Sequence, residues 1–202
     1  MATIINASTS AGLVESADTS GILQLQSGGV TQQTIDSTGS HGQLILGTVK
    51  DLSTGAAFYN FTGIPSWVKR VTVNITNVST SGNANLRFRI GPVAGVETSG
   101  YLGTTVGFAA TSSASIQFTL GFDVNDGGNA AAARNGSFFI SLLDPATNTW
   151  AIQGSQGQSN TNNATFIGGS KPLAGALSVL QITTVNGTDT FDSGSANIIY
   201  EG

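Results

Sequence analysis

The chain has no cysteine, a single histidine and little charge: seven Lys and Arg against eleven Asp and Glu in 202 residues. Without cysteine there is neither a disulfide framework nor a thiolate metal site. One histidine excludes the common multi-histidine zinc sites. That residue, His41, lies in the small, polar segment Ser40-His41-Gly42, and the chain has no nucleophile-elbow motif, so the histidine reads as a linker residue and not as the base of a Ser-His-Asp arrangement. A net charge of −4 gives no basic footprint for nucleic acid. No stretch approaches the roughly 20 apolar residues of a membrane span, so no membrane insertion is expected. The opening MATIINASTSAGLVESADTSG also lacks the basic region and continuous apolar core of a secretory signal.

In place of charge, the sequence is rich in Gly, Ser, Thr, Asn and Gln, so its solubility rests on neutral polar groups. Short runs with partial polar–apolar alternation recur along it, separated by turn residues. After residue 42 they fall at Gln43–Val49, Ala57–Phe61, Arg70–Val78, Asn85–Ile90, Ser115–Phe122, Gly136–Leu143, Thr149–Gln153, Ala176–Thr184 and Asn197–Tyr200. This spacing predicts an all-β, antiparallel β-sandwich of jelly-roll type. Ala130–Arg134 has room for one helical turn, but the flanking Gly-Asn and Asn-Gly favour a loop.

Before residue 37 the pieces Thr3–Ile5, Gly12–Ser16, Gly21–Gln26 and Val30–Ile35 are too short and too sparsely apolar to close a core alone. The expected organisation is a β-rich attachment or oligomerisation segment at 1–36, a linker at 37–42 and a β-sandwich domain at 43–202.

The stretch FTGIPSWVKRVTVNI, residues 61–75, shows how little chemistry the sequence localises. Pro65 fixes a turn, Trp67 is placed to close the edge of the core, and Lys69–Arg70 stand at the entrance of a strand whose Val71, Val73 and Ile75 share one face. Downstream, Leu86, Phe88 and Ile90 alternate with Arg87 and Arg89, so the arginines take the opposite face. Four of the seven basic residues thus fall within 69–89, on strands expected to be neighbours. They read as a solvated sheet face that blunts edge pairing, with a subunit interface or an acidic-glycan contact as the alternatives. Trp67 and Trp150, with Tyr59 and Tyr101, read as core or interface residues before sugar-stacking platforms. The possible ligand or interface contacts are therefore Trp67, Lys69, Arg70, Arg87, Arg89 and Trp150.

No catalytic or cofactor-binding residue emerges. Asp18, Asp36, Asp51, Asp126, Asp144, Asp189 and Asp192 all stand beside turn residues, where capping explains them, although sequence spacing alone does not exclude a carboxylate pair. Asp123-Val124-Asn125-Asp126-Gly127-Gly128-Asn129 has the oxygen ligands of a loose calcium loop but lacks the acidic residue at the twelfth position, so a hairpin loop is the simpler reading.

Three segments carry a resemblance. FTGIPSWVKRVTVNITNVSTSG followed by LRFRIGPVAGVETSGYLGTT, and the closing GTDTFDSGSANIIYEG, resemble a β domain that recurs in tail-fibre and other virion structural proteins of tailed bacteriophages. ATIINASTSAGLVESADTSGILQLQSGG resembles the attachment leader of phage fibre and appendage proteins. The resemblance implies a non-enzymatic virion component assembled in the host cytoplasm. It implies a homotrimeric tail-fibre or appendage subunit, joined to other virion proteins through residues 1–36 and presenting its sandwich to the host surface, where a glycan is a possible partner. The alternatives are a capsid decoration protein and a free carbohydrate-binding module. A long coiled-coil or collagen-like shaft and an autocleaving chaperone domain are not recognisable in the sequence.

Overall fold

A computed structural model describes residues 23–27, 30–36, 39–41 and 44–202. The pieces expected at Thr3–Ile5 and Gly12–Ser16 lie outside the described residues. The chain divides into two units, Met1–Gln43 and Leu44–Gly202.

In the first unit, β1 (Leu23–Ser27), β2 (Val30–Asp36) and β3 (Gly39–His41) form an antiparallel sheet in the order β1-β2-β3. β3 lies inside the segment read as a linker, pairing Ser40 with Ile35.

The second unit is built from β4 (Leu44–Leu46), β5 (Lys50–Asp51), β6 (Phe58–Thr62), β7 (Arg70–Thr80), β8 (Leu86–Gly91), β9 (Leu102–Ala109) and β10 (Ser112–Phe118). It continues with β11 (Phe122–Val124), β12 (Arg134–Asp144), β13 (Thr149–Gln158), β14 (Ala164–Pro172), β15 (Val179–Thr184) and β16 (Phe191–Glu201). Two antiparallel sheets result. The small one runs β11-β8-β15-β6, and the large one runs β10-β9-β14-β13-β12-β7-β16-β4 with β5 also on β16.

Setting aside the β9–β10 and β13–β14 hairpins leaves eight positions in chain order: β4/β5, β6, β7, β8, β11, β12, β15 and β16. Their sheet orders are then 1-8-3-6 and 2-7-4-5, the jelly-roll arrangement. The two hairpins extend the large sheet beyond β12, on the side away from β16.

The core lies between the sheets. Inward residues of β7 (Val71, Val73, Ile75), β12 (Phe138, Ile140) and β16 (Ala196, Ile198) meet Leu86, Phe88 and Ile90 of β8 and Leu180 and Ile182 of β15. Phe88 packs on Phe138 with ring centroids 4.7 Å apart, and Tyr59 meets Phe191 edge-on at 5.6 Å. Burying these side chains contributes about 1.5–3 kcal/mol each, which is how a cysteine-free chain holds two sheets together.

The strand read at Arg70–Val78 is observed and runs on to Thr80, with its alternation interrupted by a bulge at Asn77, which takes a left-handed φ of 51°. The run Ser115–Phe122 is divided instead: β10 ends at Phe118 in the large sheet, and β11 begins at Phe122 in the small one. β9 and β14 were not foreseen. Ala130 and Ala131 form a turn before β12, as the flanking residues suggested.

Candidate functional site

Lys69 and Arg70 mark the start of β7 because the preceding turn leaves the chain there. Gly63 takes the left-handed conformation (φ 74°) that its lack of a side chain permits, and the Val68 amide donates to the Pro65 carbonyl at 3.1 Å. Val68 is the residue of this turn that enters the core, at 3% exposure; Trp67 is 37% exposed and does not close it. The Trp67 ring lies against Gly202, where a Cβ would come within 2.5 Å of the ring.

The Lys69 amide donates to the Glu201 carbonyl at 2.7 Å, and the Leu142 amide donates to the Lys69 carbonyl at 2.8 Å. β7 is thereby fixed between β12 and β16. Lys69, Arg70, Ser141, Glu201 and Gly202 line a shallow groove of about 310 Å³. Within it the Arg70 guanidinium grips the Glu201 carboxylate through both ends, with Nε donating to Oε1 at 2.8 Å and Nη2 to Oε2. This pairing raises the Arg70 pKa above its ordinary value. Among the described residues no carboxylate pairs with Lys69. The groove therefore offers one ammonium, a serine hydroxyl and a neighbouring aromatic face, a set suited to contact.

Arg87 and Arg89 do not join this groove. β7 and β8 belong to different sheets, so the four basic residues are not on neighbouring strands. Nor is Arg87 solvated: it is 5% exposed. Its Nε and Nη2 donate to the Asp123 carboxylate at 2.5 and 2.8 Å, and its Nη1 to the Val185 carbonyl at 3.2 Å. Gly121 lies over the Arg87 side chain so closely that a Cβ there would meet its Cδ at 2.6 Å. Arg89 donates to the Leu120 carbonyl at 3.1 Å, and burial together with the nearby Arg87 holds its pKa below the usual range. The two arginines thus fasten the 119–121 loop across the outside of the small sheet.

Trp150 is 3% exposed in the core, and its indole N–H has no hydrogen-bond partner. Tyr101 is fully buried, its hydroxyl donating to the Ile90 and Glu97 carbonyls and accepting from the Ile90 amide. Burial pushes the Tyr101 pKa up to about 12.

The segment with calcium-loop character is held by protein groups. Asp123 is paired with Arg87, and Asp126 with Arg134, which is fully buried. Gln156 and the Gly128 amide also donate to Asp126, at 3.4 and 3.1 Å. Among the described residues no group of three or more His, Cys, Asp or Glu side chains is placed to hold a metal ion. Beside this loop, Gly107, Phe108, Ser112, Ser113, Asn125 and Asn163 contribute to a cavity of about 80 Å³. Its Asn125 side chain is already engaged, donating to Ala114 and accepting from Asn85.

Sequence reasoning placed Lys69 and Arg70 but missed Glu201 as their partner, and it missed Arg134 and Asp126 as a buried pair. It also left the outward face of the large sheet unassigned, because two of the strands composing it were not recognised.

Fold and site together define a charge-poor jelly-roll sandwich with an enlarged sheet. No family model, curated protein or solved structure matches the chain.

Proposed function

We propose that the chain is a non-enzymatic structural component of a bacteriophage virion, a trimeric tail-fibre or appendage subunit that presents the jelly roll of residues 44–202 to the host surface. The observation carrying this reading is the pairing of a small N-terminal β unit with a large, charge-poor jelly roll, in a sequence resembling phage fibre domains at 61–82, 86–105 and 187–202. The N-terminal unit, with three short strands among its described residues, is the part suited to docking on other virion proteins. The loop tips of the jelly roll are the places for a host-surface glycan.

The test is assembly of particles with a chain lacking residues 1–36. The truncated chain folds and is missing from purified particles on this reading. Normal incorporation overturns the division of labour between the two units.

A further inference from the structure

The large sheet has one face in the core and one outside, and the pairing register assigns the outward rows. A row across it reads Leu46, Ile199, Thr72, Phe139, Gln153, Gly168, Thr104 and Gln117. The adjacent row reads Asn197, Asn74, Ser137, Ser155, Phe166, Val106 and Ser115. Neither row contains a charged residue. In the next row towards the start of β7, Arg70 and Glu201 face one another and neutralise each other. Large apolar side chains remain uncovered by the second unit: Phe166 is 56% exposed and packs edge-on against the half-exposed Phe108 at 5.9 Å, and Leu46 and Phe139 are exposed as well.

We propose that this face docks a second copy of the same chain. The inference rests on the reading of the protein as a self-assembling subunit and names the surface it uses. Two arguments select a copy of itself as the occupant. The chain carries a net charge of −4, so like copies repel unless they meet through a surface without net charge, and the two central rows supply one, with Arg70 and Glu201 paired beside them and Asp51 at the β5 edge. Its size also fits. Eight strands at about 4.8 Å spacing and the three outward rows at about 7 Å give roughly 800 Å², about what each partner contributes to a stable interface. Small residues leave the face flat, and the aromatic rings provide the anchors such interfaces favour.

The experiment compares full-length wild type with Phe166→Asp and with Phe139→Asp by sedimentation velocity between about 1 and 100 µM, circular dichroism reporting the fold. Wild type sediments as an oligomer, and each aspartate weakens association at least tenfold while the fold is kept. A wild-type oligomer that both variants retain overturns this face but leaves self-assembly standing; a wild type that is monomeric throughout overturns both.

A second measurement covers variants that fail to fold. Because the chain has no cysteine, Ser155→Cys on this face and Thr188→Cys in the exposed 185–188 turn each give a single thiol. Maleimide reacts at least tenfold more slowly at position 155 than at 188, and the gap closes on dilution. Equal rates, or a protection that dilution does not change, overturn docking of a second copy.

Discussion

The two faces of the large sheet come from the same strands and differ in every respect that matters. Its inner face carries Val71, Val73, Ile75, Phe138, Ile140, Trp150 and Ile152 and ends at the buried Arg134–Asp126 pair. Its outer face carries Thr, Ser, Asn and Gln with scattered Phe and Leu, one ion pair that cancels itself, and Asp51 and Asp192 towards the far end of β7. Alternation with a period of two explains how one strand builds both surfaces, but not why the outer one avoids charge. A face meant for water normally mixes charges of both signs. This protein keeps much of its charge in turns and under the 119–121 loop, leaving the two central outer rows of the large sheet uncharged.

The inner side is where perturbation costs most. Arg134→Ala leaves the Asp126 carboxylate buried without its partner, and urea unfolding followed by tryptophan fluorescence, which reports residues 67 and 150, shows a loss of about 3–5 kcal/mol.

Tyr101 sharpens the contrast through pH. Its folded pKa of about 12 stands above the unfolded value near 10, so the unfolded state releases the proton first. The stabilisation is complete below about pH 10 and is lost as pH rises through 12, by roughly 2–3 kcal/mol. Tyr101→Phe removes that alkaline slope, which stability curves at pH 9 to 12 measure.

Gly169→Ala puts a Cβ within 2.5 Å of the Leu102 carbonyl and 2.7 Å of the Phe118 ring, and thermal or urea unfolding shows a destabilisation of about 1–3 kcal/mol. The outer side gives the smallest effect on folding. Gln153→Glu, an exposed position in the neutral row, changes unfolding stability by no more than about 0.5 kcal/mol yet weakens self-association. Equal losses of fold and association there break the distinction between the faces.

Much of the sandwich was legible because burial on one side imposes alternation: Arg70–Val78 and Gly136–Leu143 lie within the observed β7 and β12. β9 and β14 were illegible for a physical reason. Gly103 and Gly169 stand where the Phe118 ring lies on the strand pair, with room for no side chain, so the inward positions that normally announce a strand are glycines. The split of Ser115–Phe122 between sheets was hidden because local pattern does not record which sheet a strand joins. Arg87 shows the same limit. Its position opposite the apolar residues of β8 was readable, but the Asp123 pair and the loop covering it depend on a fold that brings residues 36 apart together. Glu201, 131 residues from Arg70, was further out of reach.

Cryo-electron microscopy of the phage particle that carries this chain tests the central claim most directly. The expected result is density for three copies around a shared axis at the tail, the outer faces of their large sheets turned towards one another. Absence of the chain from purified particles, or isolated single copies with that face open to solvent, would contradict it.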